Sequence, residues 1–262
     1  MTNQALHVAR TGLDAQNRRM QVIANNLANV NTTGFKRDRA NFETLAYQKV
    51  IAAGTASSAE NKYATGLNLG SGVQMNGTER IDTDGPITTT GNALDLAIQG
   101  AGFFQVQTPD GQTAYTRAGN FTLSPEGTIV TGDGKPLQPQ IQVPEGATSV
   151  SIGSDGTVTA IVAGQTAPTE LGKIETARFV NPAGLQPIGD NLLLETAASG
   201  AAQAGAPGQD GRGSIRSGAL ESSNVNVVEE LVDMIETQRA FEVNSKMIQA
   251  ADEMMKNANQ QF

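Results

Sequence analysis

Apolar residues recur at Leu6, Leu13, Met20 and Leu27, a spacing of seven, with a companion series at Ala9, Gln16, Ile23 and Val30. Together they form an a/d seam with one polar intruder, Gln16, and predict a long amphipathic helix from about Asn3 to about Thr32. Gly12 weakens that helix by about 1 kcal/mol relative to alanine. The far end of the chain repeats the pattern. Val227, Met234, Phe241, Ile248 and Met255 are again seven apart, and their companions Leu231, Gln238, Ser245 and Asp252 turn polar towards the end. Asn226 followed by Glu229 reads as a variant of the capping box. Glu229 and Glu230 suit the positive end of the helix dipole.

Between the two helical patterns the period changes to two. Alternating Val, Thr, Gln and Phe are punctuated by Asp-Gly and Glu-Gly pairs. GFFQVQTPDGQTAYTR predicts a hairpin with strands Phe103–Thr108 and Gln112–Arg117 around a Pro109-Asp110-Gly111 turn. FTLSPEGTIVTGDG and VSIGSDGTVTAI predict two more, turning at Glu126-Gly127 and Asp155-Gly156. Two stretches break the alternation. Ile51–Gly72, rich in Ala, Ser, Gly and Asn, reads as a partly extended linker, and Ala197–Ser214 as an exposed loop. The expected fold is α+β, mainly β: terminal helices paired as an antiparallel coiled coil, and a central all-β domain of short strands and hairpins. The expected parts are a helical core domain (1–34 with 226–262), an extended connector (35–72) and a β domain (73–225).

A helix of about 30 residues is about 45 Å long and marginal alone, so its apolar face needs a partner. Antiparallel pairing is the simplest arrangement for a chain that leaves, builds a β domain and returns. Charge agrees: 1–33 carries Arg10, Arg18 and Arg19 against Asp14, whereas 226–262 carries seven acidic side chains against Arg239, Lys246 and Lys256. A pair buries only part of each seam. The rest, edged by Ala5, Ala9, Ala15, Ala24, Ala28, Ala240, Ala250 and Ala251, fits either a stalk within one chain or packing between copies. Periodicity does not choose between them.

Composition narrows the chemistry. The net charge of −8 argues against nucleic acid as a partner. There is no cysteine, which excludes disulfides and thiolate sites. No apolar run is long enough to span a bilayer. MTNQALHVARTGLDAQ has no apolar h-region, so a cleavable signal peptide is not expected. His7 is the single histidine, and no triad surrounds it. Asp82-Thr83-Asp84-Gly85 lacks the remaining ligands of a calcium loop and reads as a turn. Gly132-Asp133-Gly134-Lys135 lacks the spacing of a phosphate loop. Gly100-Ala101-Gly102 precedes a strand, where a dinucleotide site would open a helix. Glu229 and Glu230 read as helix-start residues. No catalytic, cofactor-binding or metal site is expected, and no enzymatic activity.

NNLANVNTTGFKR, Asn25–Arg37, places four asparagines at the end of the first helix. With Gly34 as C′, Val30 and Phe35 would make the apolar contact of a Schellman stop, and Lys36 and Arg37 would face the helix C-terminus. Asn25 and Asn29 face outward and Asn26 flanks the seam, where an amide bonds neighbouring backbone without carrying charge. ANNLANVNTTGFKR, preceded by TGLDAQNRRMQVI, resembles the N-terminal signature of flagellar basal-body rod and hook proteins. GALESSNVNVVEELVDMIETQRAFEVNSKMIQAADEM resembles their C-terminal signature. LDLAIQGAGFFQV, AYTRAGNFTLSPEGTIVT and GDNLLLET match the middle of the family, so the resemblance covers nearly the whole chain. The length and YQKVIAAGTASSAENKYATGLNLGSGV, Tyr47–Val73, are similar to the distal-rod members.

The resemblance implies a structural subunit that self-assembles into the distal rod, a hollow helical drive shaft carrying torque to the hook across the periplasm. It implies terminal helices in the inner wall, with Leu6, Leu13, Met20, Ile23, Leu27 and Val30 on one seam. Val227, Leu231, Met234, Phe241, Ile248 and Met255 form the other. Asn25, Asn26, Leu27, Asn29, Gly34 and Phe35 carry the family motif. Tyr47, Gly54, Tyr63, Gly66 and Gly70 fall in the connector associated with a stiff tube; Lys62-Tyr63-Ala64 departs from a more threonine-rich segment. Implied partners are further copies, proximal rod proteins, the hook protein, the peptidoglycan-level and outer-membrane ring proteins and the flagellar export apparatus. The alternative read from the residues is a monomeric surface adhesin or binding module on a helical stalk.

Overall fold

The computed structural model describes residues 2–52, 64–163 and 167–260. Two long helices, one at each end, flank a strand-rich middle that is mainly β. The chain divides into two compact units. Unit 1 takes Met1–Leu27, Asp38–Glu79 and Asn226–Phe262, and unit 2 takes Ala28–Arg37 and Arg80–Val225.

Unit 1 contains helix α1 (Thr2–Ala28), strands β1 (Asp38–Thr44), β2 (Tyr47–Ile51), β3 (Leu67–Gly70) and β4 (Val73–Arg80), and helix α2 (Val227–Gln260). β1 pairs with β4. β2 pairs antiparallel with β3, Tyr47 opposite Gly70. The stretch expected as a separate connector therefore contributes strands that cluster with the helices; its residues 53–63 lie outside the described ones. α2 starts at a side-chain cap, with the Val228 N–H donating to Asn226 Oδ1 at 3.1 Å.

The expected end of α1 is not what forms. The helix stops at Ala28, and tight turns follow: Thr32 N–H donates to Asn29 O (3.1 Å) and Phe35 N–H to Thr32 O (3.3 Å). Gly34 has a positive φ of 69°, but its N–H donates to Glu221 O at 2.8 Å instead of a helix carbonyl. A β-carbon at Gly34 would stand 2.6 Å from the Arg117 carbonyl carbon. Glycine is demanded there by the close approach of the distant Arg117–Ala118 backbone, and not by a Schellman stop.

Unit 2 follows its turn chemistry. Phe103–Gln107 pairs antiparallel with Thr113–Thr116, Val106 opposite Ala114. Phe121–Leu123 pairs with Ile129–Thr131, and Ala147–Ile152 with Thr157–Val162. At the last turn Gly156 sits at φ +82°, and Asp155 accepts from the Thr157 hydroxyl (2.7 Å) and N–H (3.2 Å). Those bonds hold the exposed Asp155 carboxyl below its ordinary range.

The largest sheet of unit 2 runs Gln186–Gly189, Leu192–Leu194, Thr113–Thr116, Phe103–Gln107, Thr176–Arg178, Gln203–Gly205, and Leu137–Gln138 also pairs with Phe103–Gln107. Alternation along Phe103–Gln107 sorts its side chains between two cores. Phe104 and Val106 join Leu96, Ile98, Phe121, Ile129, Leu137 and Ile174. Phe103 joins Tyr115, Phe179, Leu185 and Leu193. Phe179 meets the Phe103 ring at 5.9 Å and the Tyr115 ring at 4.7 Å, both edge to face. Burial pushes the Tyr115 hydroxyl above its ordinary range, helped by the nearby Glu195 carboxylate. The stretch 197–214, expected as an exposed loop, lies partly within the packing. Gln203–Gly205 pairs with Thr176–Arg178, Ser199 and Pro207 are buried, and Arg212 donates to Ala206 O and the Asp210 carboxylate. Its small side chains permit that close approach.

Candidate assembly surface

Among the described residues, α1 and α2 approach one another within unit 1 at Gly12, Arg19 and Asn26. An ideal β-carbon at Gly12 would stand 3.1 Å from Asn244 Nδ2, Arg19 Nη2 lies 3.4 Å from Asp233 Oδ1, and Asn26 Nδ2 donates to both Glu230 carboxylate oxygens at 3.3 Å. On α2, Glu230, Thr237 and Ala251 are buried and Met234, Asn244, Ile248 and Met255 half-buried. The inward series is thus Glu230, Thr237, Asn244, Ala251, one residue ahead of the expected companions Leu231, Gln238, Ser245 and Asp252. α1 offers Gly12, Arg19 and Asn26 at these contacts, so small and polar side chains fill them better than Leu231 would. Thr237 satisfies its hydroxyl on Asp233 O at 2.6 Å. On α1, Ala9, Ala15 and Ile23 are buried, and Leu6, Leu13, Met20 and Leu27 half-buried. Val30, also half-buried, lies past the helix end in unit 2.

α2 carries a second apolar stripe that unit 1 leaves uncovered. Val228, Val232, Ile235, Val243, Met247 and Met254 are each half exposed or more, at helical spacings of three, four and seven but for one gap of eight. Val227, Leu231 and Phe241 are exposed as well, at 39–43%. An exposed apolar stripe of this length marks an interaction surface. β2 and β3 add to the uncovered surface: Tyr47, Val50 and Leu67 are exposed, and the Tyr47 ring lies 3.5 Å from an ideal β-carbon at Gly70. Gly66 precedes β3; Gly54 and Tyr63 lie outside the described residues. A groove of about 270 Å³ in unit 1 is lined by Arg18, Gln21, Val22, Asn25, Met75 and Thr78, among others. Beside it, Arg39 donates to Glu79 at 2.8 Å. Asn41 and Arg39 together hold the exposed Glu79 carboxyl below its ordinary range.

The asparagines now separate. Asn26, 1% exposed, behaves as a strand partner for β1: its Nδ2 donates to Asp38 O at 2.9 Å and its Oδ1 accepts from Asp38 N–H at 3.0 Å. The same amide meets Glu230, so one side chain ties α1, β1 and α2 together. Glu230 is accordingly more than a helix-start residue. Asn25 is exposed at the groove, and Asn29 accepts from the Thr32 hydroxyl at 3.1 Å.

Unit 2 has a buried ionic cluster that no local pattern announces. Lys36, expected to face a helix C-terminus, is instead buried and donates to Glu221 Oε1 and Thr83 O, each at 2.6 Å. Glu221 also accepts from Gly85 N–H (2.9 Å) and Arg117 Nη1 (3.3 Å). Arg117 donates to Gly100 O at 2.9 Å, lies 3.6 Å from Asp84 and sits over the Phe103 ring. The Asp82–Gly85 run and Gly100 are therefore part of this cluster. Burial pushes the Asp82 carboxyl above its ordinary range, more than the facing Arg117 and Lys36 cations lower it.

Among the described residues there is no group of three or more His, Cys, Asp and Glu side chains placed to hold a metal, and no helix long and apolar enough to cross a membrane. A helical unit with an uncovered apolar stripe, together with a packed β unit, is the arrangement of a structural, interacting protein. Three family models match the chain: the flagella basal body rod protein over residues 6–36, the flagellar hook protein FlgE/F/G D1 domain over 97–160, and the flagellar basal body rod FlgEFG protein C-terminal over 216–261. The flagellar basal-body rod protein FlgG of Buchnera aphidicola subsp. Acyrthosiphon pisum is 50% identical over 98% of each chain. FlgG of Caulobacter vibrioides is 47% identical over 98% of each chain. FlgF of the same organism is 34% identical over 98% of this chain and 96% of its own. The chain belongs to the flagellar basal-body rod protein family.

Proposed function

We propose that this chain is a self-assembling structural subunit of the flagellar distal rod, a hollow shaft that transmits motor torque to the hook. The observation that carries the reading is the uncovered stripe Val228, Val232, Ile235, Val243, Met247 and Met254 on α2. Among the described residues nothing else in unit 1 covers it, and burying it stabilises an assembly by about 25 cal/mol per Å² of apolar area. Further copies are the fitting cover, because a tube repeats one contact many times. The order of the α1–α2 contacts, with Gly12, Arg19 and Asn26 meeting Asn244, Asp233 and Glu230, supports antiparallel pairing of the helices in an inner wall. Leu6, Leu13, Met20, Ile23, Leu27 and Val30 on the first seam, and Val227, Leu231, Met234, Phe241, Ile248 and Met255 on the second, supply apolar edges for that wall. The exposed Tyr47, Val50 and Leu67 of the β2–β3 ribbon support a stiffening contact with neighbouring copies.

The family is a structural one, and its members assemble with other rod and hook proteins in the basal body. Proximal rod proteins, the hook protein, the peptidoglycan-level and outer-membrane rings and the export apparatus are the partners this reading names for the chain. Val232→Asp and Ile235→Asp test it. Each places a charge on the stripe, is expected to leave the monomer's unfolding free energy within about 0.5 kcal/mol of the parent, and abolishes rod assembly and motility. Motile cells carrying both changes would overturn the reading. So would a parent chain that stays monomeric and binds a surface ligand, as a stalked adhesin does.

A further inference from the structure

Unit 1 carries two uncovered surfaces of opposite charge. The first is the groove of about 270 Å³ lined by α1, β1 and β4. Its apolar lining is Val22 and Met75, both half-buried, and the exposed Arg18 and Thr78 stand beside them. Asp38 lines it too, but is engaged within its own chain, its backbone paired with the Asn26 amide. The groove is smaller than the roughly 300–1,000 Å³ of small-molecule sites, so it suits a few side chains and not a cofactor. Around it α1 is basic. Arg19 meets Asp233 of its own chain, whereas Arg10 and Arg18 are exposed, with the one acid Asp14 between them. The second surface is the first half of the stripe on α2: Val228, Val232 and Ile235. From Val227 to Gln238 that helix carries Glu229, Glu230, Asp233 and Glu236 and no cation. Unit 1 uses Glu230 at Asn26 and Asp233 at Arg19. Glu229 and Glu236 are exposed, and their spacing of three and four from Val232 sets them on its face of the helix.

We propose that the groove receives the start of α2 from a second copy of this chain, Val232 and Ile235 lying against Val22 and Met75 and Glu236 against Arg18. The inference names the partner surface for the stripe, and so rests on the function proposed above. Charge selects this pairing. Stripe against stripe would set Glu229 and Glu236 against their own copies, and groove against groove would set Arg18 against Arg18. Like charges brought together at an interface are strongly unfavourable, whereas a close pair of opposite sign is worth about tenfold or more in affinity. The later half of the stripe is the poorer occupant, because the exposed cations Arg239 and Lys246 interrupt it. The contact is therefore heterologous: one surface receives a different one. Each copy then keeps one groove and one stripe for further copies, and a heterologous contact that does not close on itself grows as an open helix.

The test is a charge exchange in the full chain, expressed in cells and scored as the fraction of isolated basal bodies that carry a complete rod. Arg18→Glu and Glu236→Arg are each expected to lower that fraction about tenfold, while each purified monomer melts with the parent. Combined in one chain they restore it, because the pair re-forms with its signs exchanged. Glu242→Arg, a reversal at another exposed position of α2, does not rescue Arg18→Glu. No loss in the single variants, no restoration in the double variant, or equal rescue by Glu242→Arg overturns the proposal. So does rescue of Arg18→Glu by a charge reversal in a different rod protein, which would make that protein the occupant. Should Arg18→Glu not fold, Thr78→Glu places the carboxylate at the groove instead, and Glu236→Arg must rescue it; failure there overturns the proposal too. Whether the parent chain lies in the rod is scored separately. Its absence overturns the rod function, whereas its presence together with a failed exchange overturns this contact alone.

Discussion

Lys36→Met should destabilise unit 2 far more than an ordinary surface lysine change. The Lys36 and Glu221 side chains are only 3% and 1% exposed, and their charged atoms are 2.6 Å apart. Removing one partner of a buried pair costs about 3–5 kcal/mol, mainly because the other charge stays buried. Here Arg117 Nη1 remains 3.3 Å from Glu221 Oε2, so the lower end, about 3 kcal/mol, is expected. The comparison variant is Arg39→Ala, whose partner Glu79 is 2.8 Å away but well exposed, and whose loss costs about 0.2–1 kcal/mol. Urea titration followed by the near-ultraviolet signal of buried Tyr115 reads unit 2, with thermal melting as a second measure. For a domain of this size the midpoint should fall by about 6–12 °C. In a double-mutant cycle, Lys36→Met and Glu221→Gln should be non-additive by more than about 1 kcal/mol. A loss for Lys36→Met no larger than that for Arg39→Ala would refute the reasoning, because the cluster would then be open to water.

Asp82→Asn should stabilise unit 2 at neutral pH. Burial raises the Asp82 carboxyl in the folded state, so its contribution is fully present below the ordinary aspartate value of about 4 and is lost as pH rises through the raised value. The advantage of asparagine should therefore be largest near pH 7 and close as pH falls towards about 4; an advantage that grows with acid would contradict the assignment. Asn26→Ala removes both bonds to the Asp38 backbone and the amide's bonds to Glu230. It should cost about 1–3 kcal/mol and speed hydrogen exchange at the Asp38 amide; unchanged exchange there counts against the strand-partner role. Gly34→Ala should cost at least about 2 kcal/mol, from a left-handed backbone and a β-carbon driven into Arg117. An alanine variant that melts with the parent would point to an ordinary turn.

What could be read in advance was local. Turn chemistry located the hairpins, because Asp110-Gly111, Glu126-Gly127 and Asp155-Gly156 state their own geometry. Seven-residue spacing found both helices. It did not say which face of α2 meets its own chain, since the apolar face formed by Val228, Leu231, Val232 and Ile235 is not the one that packs internally. The face that packs internally carries Glu230 and Thr237, which an apolar scan passes over. Gly34 and Lys36 were legible as a stop signal and a cation, but their structural duties are set by Arg117 and Glu221, many residues away in sequence. Asn26 gave a hint, an amide where a helix former was expected, and only the distant Glu230 and the backbone of Asp38 explain it. Ile51–Gly72 read as a partly extended linker, which did not reveal that β3 pairs with β2.

Electron cryomicroscopy of isolated basal bodies, at a resolution that traces side chains, measures the main claim most directly. The account predicts this chain in the rod wall, with Val232, Ile235 and Met247 of each copy buried against another copy. A rod built of other chains, or one in which that stripe still faces water, would contradict it.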